Sequence, residues 1–243
     1  MAIYVNIKGS NASRKSTKID CLLKYLLHKG AIEEKVDGGF LLSYNNKKYY
    51  FFGKKKNNGA FAGIDVNPIT PKNSIRERHE HFGKIIKEYQ VDYIFTEGYF
   101  NNLGSEQERM EFLTQYGITE RHFYFQGFKT LEETLESQKN RKIRNTSKKS
   151  TINTFNKLDK KVKQFKDYNE PNTITERVLS TEDNDYYVQK YFNERFLEYE
   201  LPKSIEEIKK DEQTKFNEGE WWSGFFKKPD KLSNLIFSTF QIF

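Results

Sequence analysis

The sequence predicts an α/β domain, a mostly parallel sheet flanked by helices, over about residues 1–200. Two observations predict it. A strand-like run, a glycine-opened loop and an amphipathic helix follow one another without interruption from residue 3 to about residue 29. Strands and helices then alternate along the chain, which is the pattern of a parallel sheet with helices on its faces.

Residues 3–8 (IYVNIK) are rich in β-branched and aromatic residues and read as a buried strand closed by Gly9. Ile19, Leu22, Leu23, Leu26 and Leu27 recur at helical spacing between Lys15 and Lys29. Residues 40–52 (FLLSYNNKKYYFF) read as a hairpin turning at Asn45-Asn46. A polar loop over 54–58 leads to the glycine-flanked segment 59–65, and a helix is predicted over 74–89, capped by Asn73 or Ser74. A strand over 91–96, a helix over 106–116 and a strand over 122–128 follow. Leu131 to Asn140 reads as helix. Between Lys139 and Lys166 the chain is basic and poor in apolar residues, with Asp159 its only acid, and is expected to be mobile or to face a ligand rather than the core. A strand over 174–179 and a helix over 185–199 precede an aromatic C-terminal extension, 201–243.

Composition narrows the function classes. At 243 residues the chain can bury a substantial core. Its 31% charged residues and mean hydropathy of -0.86 suit an aqueous protein. No apolar run approaches the roughly 20 residues that span a bilayer, so no membrane partner is expected. The N-terminal run lacks the blocks of a signal peptide. Cys21 is the only cysteine, so no intrachain disulfide can form, and a reducing, cytoplasmic location is expected. The formal charge of +7 and pI near 9.1 favour an anionic partner. A Lys- and Asn-rich chain from an AT-biased genome would carry the same charge.

The chemistry concentrates in Gly9-Ser10-Asn11-Ala12-Ser13-Arg14-Lys15-Ser16-Thr17. A Walker A phosphate-binding loop needs glycine so that backbone N–H groups can wrap phosphates. It needs a lysine for the β and γ phosphates and a hydroxyl for Mg²⁺. The N-terminus of the helix that follows adds its positive end. Gly9, Lys15 and Ser16 stand at the required spacing, but Arg14 occupies the position where a glycine usually precedes the lysine. A side chain there can crowd the phosphates or shift the loop dihedrals, or add a positive charge beside them. All nine residues are assigned to ATP binding, with Lys15 also catalytic.

The run VNIKGSNASRKST resembles the opening of bacteriophage P-loop kinases, including those that phosphorylate 5-hydroxymethyluracil in DNA. Three shorter features keep the family's order: Gly63-Ile64-Asp65, Phe95-Thr96-Glu97-Gly98, and a helix leading to the arginines of a lid at about 139–167. The resemblance implies the P-loop kinase fold, ATP and Mg²⁺ as cofactors, and transfer of the γ-phosphate to a hydroxyl, with modified DNA as one acceptor. Asp65 is the candidate general base; an aspartate in a surface turn beside Asn67-Pro68 is the alternative. Glu97, at the C-terminal end of a buried strand, is the candidate Mg²⁺ ligand with Ser16; capping the strand or pairing with a lysine is the alternative. Arg141 and Arg144, three apart and so on one face if the helix continues, are candidates to neutralise the transferring phosphoryl group; a solvated charge run is the alternative.

Rival readings are a kinase of a free nucleotide or small metabolite, and a non-catalytic nucleotide- or nucleic-acid-binding protein with a degenerate loop. His28, His79, His81 and His122 have no metal-ligand spacing and read as structural. Trp221-Trp222 and Phe225-Phe226 beside Lys227 and Lys228 suit a packed extension or a homo-oligomer contact better than a base-stacking surface.

Overall fold

The computed structural model of the chain describes residues 1–10, 13–55, 61–63, 75–98, 111, 113–140, 148–168, 171–180 and 184–192. The strands are β1 (Ala2–Gly9), β2 (Ile32–Val36), β3 (Gly39–Tyr44), β4 (Lys47–Phe52), β5 (Lys54–Lys55), β6 (Phe61–Gly63), β7 (Tyr93–Gly98), β8 (Ile118–Gly127) and β9 (Thr173–Leu179). The helices are α1 (Lys15–His28), α2 (Ile75–Tyr89), α3 (Leu131–Asn140), α4 (Lys148–Asp167) and α5 (Asn184–Phe192).

The fold is α/β, with a mixed but mostly parallel sheet flanked by helices. Strand order is β2-β3-β4-β7-β1-β8-β9, and β5 and β6 form a separate two-stranded ribbon. The block β4-β7-β1-β8-β9 is parallel throughout, while β2 and β3 extend it as antiparallel strands. From β1 the chain runs to the far edge of one side at β2 and works back inward through β3, β4 and β7, then crosses to the other side for β8 and β9. A crevice at the C-terminal ends of the strands is expected at such a reversal, and β1 ends there in the glycine-opened loop.

Alternation divides β1 between two faces. Tyr4 points to an aromatic core with Tyr50, Phe52, Ile94, Phe123 and Phe125, closed by Phe82 and Ile85 of α2 and by Leu158, Val162 and Phe165 of α4. T-shaped contacts, such as Phe52 on Phe82 at 5.0 Å and Phe125 on Phe165 at 5.0 Å, fill this layer. Val5 and Ile7 point the other way, and α1 packs on that side across β1 and β7.

Three differences from the sequence expectations have physical reasons. First, the basic stretch is not excluded from the core. Residues 148–167 form one helix that buries Thr151, Leu158, Val162 and Phe165 and holds Lys157, Lys160, Lys163 and Lys166 exposed. The lysines outnumber the few large apolar positions and mask their helical spacing. Thr151 Oγ1 donates to Gln138 Oε1 at 2.7 Å and ties α4 to α3. Second, β8 starts at Ile118, four residues before the predicted strand, because Glu120 and Arg121 hide its alternation. Third, β2 is an added edge strand in which four of five residues are exposed, so it carries no apolar signal. The hairpin turn lies at Asn45-Asn46 as expected, with φ of 47° and 58°, the left-handed pair of a type I′ turn.

The chain divides into two compact units, Met1–Asp183 and Asn184–Phe243. The sheet belongs to the first. In the second, the described helix α5 buries Tyr187, Val188, Tyr191 and Phe192. The extension 201–243, with its tryptophans, lies outside the described residues.

Candidate functional site

The site begins where β1 runs out. Gly9 lies opposite Gln126 of β8, and a Cβ at Gly9 would collide with the Gln126 carbonyl and the Ser13 hydroxyl. Glycine is therefore required by the close approach of two strands to the loop, whatever the loop binds.

Beyond Gly9 the loop folds around one carbonyl. Ser10 O accepts from the Ser13 amide at 3.3 Å, from Ser13 Oγ at 2.8 Å and from Lys15 Nζ at 2.8 Å. The Lys15 ammonium thus lies back against the loop instead of extending into solvent. A second carbonyl, Ser13 O, is held from behind by Gln126 Nε2 at 2.8 Å and by Ser180 Oγ at 2.9 Å. Gln126 and Ser180 are both fully buried.

Arg14 follows as the residue that enters α1, with φ 64° and ψ 22°, the left-handed region. This explains why glycine is usual at that position. For a residue with a side chain the conformation costs about 1–2 kcal/mol. The loop dihedrals have not shifted to escape the cost. Instead the Arg14 guanidinium lies over the Phe128 ring at 5.4 Å from its centroid, a contact that contributes about 0.5–1 kcal/mol. The two buried bonds to Ser13 O add roughly 0.5–1.5 kcal/mol each, so strain and support are of similar size. Phe128 is fixed in turn by Arg177, whose Nη2 donates to Phe128 O at 3.0 Å and whose Nη1 donates to Gly127 O at 3.2 Å. The Arg14 side chain makes no capping hydrogen bond to the end of α1.

Ser16, in the first turn of α1, donates to Glu97, with Oγ at 2.8 Å from Oε1 and 2.9 Å from Oε2. Glu97 stands one residue before the end of β7, in register with Ile7, and is 4% exposed. Adjacent parallel strands bring together two residues 81 positions apart in sequence. A carboxylate this deeply buried needs partners, and a hydroxyl with two carboxylate oxygens is an all-oxygen donor set of the type hard divalent cations take. Among the described residues, no group of three or more His, Cys, Asp and Glu side chains could hold a metal on its own.

A further tie runs from α1 to the second strand of the ribbon. Asp20, one turn beyond Ser16, accepts the Phe61 amide at 2.9 Å and pairs with Lys24 at 2.9 Å. It fastens β6 to the loop helix, four residues before Asp65. Asp65 itself, Asn11, Ala12, Arg141 and Arg144 lie outside the described residues. Thr17 is the third residue of α1 and is partly buried.

The histidines in the described core are built into packing. His81 Nε2 meets Tyr50 Oη at 2.8 Å, and Tyr50 Oη donates to Asp37 O at 2.9 Å. Burial pushes the Tyr50 hydroxyl well above its ordinary pKa, and burial holds His81 below 6.5 against the opposing pull of Asp37. His122 bonds to Tyr124 Oη at 3.1 Å and to Glu120.

Sequence reasoning missed Gln126, Ser180, Phe128 and Arg177. Gln126 and Ser180 carry a faint signal, being polar residues at or just past the ends of strands whose other ends pack apolar. Nothing in the sequence links them to Ser13. In comparisons with known proteins the chain matches no family model, and no curated protein and no solved structure matches it.

Proposed function

We propose that the chain is an ATP-dependent P-loop kinase that moves the γ-phosphate of ATP to a hydroxyl. The observation that carries the reading is the hydrogen bond of Ser16 to both carboxylate oxygens of Glu97. It joins the hydroxyl that follows the loop lysine to an acid on the strand beside β1, a juxtaposition an incidental serine-rich turn has no need of. The strand order, with β7 next to β1 and the loop at the reversal, supports it further.

In this reading the loop amides and Lys15 bind the β and γ phosphates. Ser16 and Glu97 fit Mg²⁺, which when bound neutralises charge on the phosphates. Asp65 orients the acceptor hydroxyl and takes its proton. The acceptor oxygen bonds to the γ-phosphorus, the bond from that phosphorus to the β–γ bridging oxygen breaks, and ADP leaves. Arg141 and Arg144 neutralise the equatorial oxygens of the group in flight.

For the acceptor, the exposed lysines of α4 favour a polyanion, so a hydroxymethylated pyrimidine in DNA is placed ahead of a free nucleotide or small metabolite. The test is transfer of labelled phosphate from ATP to hydroxymethyluracil-containing DNA and to free nucleotides in parallel. Activity on DNA should fall steeply with salt, because phosphate contacts release counterions; activity on free nucleotides alone would overturn the DNA acceptor.

One observation favours a second reading. The strained Arg14 suits a loop that binds nucleotide without turning it over. Binding without turnover in the natural chain, with turnover restored by Arg14→Gly, would replace the active kinase with this binder.

A further inference from the structure

The phosphate-site reading leaves open how a loop with arginine at its last turn keeps its amides pointed at a phosphate, and the answer drawn here rests on that reading. A peptide unit is planar and trans, so its C=O and N–H point in opposite directions. Gln126 Nε2 and Ser180 Oγ hold Ser13 O from the side of β8 and β9, at 2.8 and 2.9 Å. The N–H of Arg14, the other end of the same peptide, is thereby turned away from those strands. Nothing in the arginine itself favours this. A flip of the Ser13–Arg14 peptide would carry Arg14 from φ 64° to the negative φ that a residue with a side chain prefers. The flip would also turn a carbonyl oxygen to the side where the N–H now points.

We infer that Gln126 and Ser180 are positioning residues for phosphate binding. They lock the Ser13–Arg14 peptide so that the Arg14 amide serves as a phosphate donor, and they make the loop work with arginine where glycine is usual. Both are buried, so they act through this peptide and not by touching the ligand. With glycine at position 14 the left-handed conformation carries no penalty. The two donors then matter less.

That dependence supplies the test, a double-mutant cycle read by calorimetric titration with inorganic tripolyphosphate. Ser180→Ala removes one hydroxyl and leaves the backbone bond from the Ser180 amide to Gly127 O intact. Gln126→Ala removes the other donor. Each should weaken tripolyphosphate binding about 10-fold in the natural chain, as expected for one lost buried hydrogen bond. In the Arg14→Gly background the loss should shrink to less than about 3-fold. A merely structural role would lower melting temperature in both backgrounds without this dependence on residue 14. Equal losses in the two backgrounds, or no loss in a folded Ser180→Ala chain, would overturn the positioning role alone. Failure of the natural chain to bind tripolyphosphate would overturn the phosphate site as well.

Discussion

The β3–β4 turn and the β1–α1 loop both place side-chain-bearing residues in the left-handed region, and they are supported in opposite ways. At the β3–β4 turn, Asn45 and Asn46 sit at φ 47° and 58°. Asparagine tolerates this conformation, and a type I′ turn asks for it. At the β1–α1 loop, Arg14 sits at φ 64°, held by Phe128 beneath its guanidinium and by two buried donors on the preceding carbonyl. The hairpin adopts its turn because the residues suit it. The loop adopts its turn because neighbouring strands impose it, and imposed backbone strain clusters where function requires a fixed geometry.

Substitutions at the loop and at the hairpin should separate imposed strain from tolerated conformation. Glu97→Gln should reduce phosphoryl transfer by about 100-fold or more while the chain stays folded, since the acid serves the reaction and the amide can still accept from Ser16. Steady-state turnover beside a thermal melt checks this, and near-normal turnover would remove Glu97 from the site. Next, Arg14→Gly should raise stability in urea by up to about 1 kcal/mol, the relieved strain less the lost ring contact. Asn46→Gly should change it by less than about 0.5 kcal/mol. An equal gain at both positions would mean that Arg14 is not strained by its turn.

The smallest effect concerns the aromatic layer rather than either turn. His81 is held below its ordinary pKa of 6.5 chiefly by burial. The unfolded chain therefore binds its proton at a pH where the folded chain does not. The stability from this site is complete above 6.5 and is lost as pH falls through the lowered folded value. Between about pH 7.5 and pH 5 the natural chain should lose more stability than His81→Gln does, as measured by urea unfolding at each pH.

Much of the fold was legible because its signals are local. The 3–8 strand, the helical spacing after Lys15 and the asparagine pair at 45–46 each carry a pattern that short-range physics reads directly. What escaped was set by neighbours. The helix α4 hides four buried positions among lysines, and β2 is specified only by its pairing with β3. The candidate site divides the same way. Gly9, Lys15 and Ser16 stand in a recognisable spacing, and Glu97 was legible as an acid ending a buried strand. The brace was not, because Gln126 and Ser180 lie 113 and 167 positions from Ser13 and meet it only through strand order.

The proposed function requires that the loop from Gly9 to Thr17, with Glu97, bind the phosphates of a magnesium nucleotide. Calorimetric titration of ATP, with and without Mg²⁺, into the natural chain and into Lys15→Ala tests it most directly. Binding should tighten with Mg²⁺ in the natural chain. In Lys15→Ala it should weaken at least about 10-fold, the effect of losing a charged hydrogen-bond donor, in a chain that still melts cooperatively. No heat of binding from the natural chain, or equal affinity in the two proteins, would contradict it.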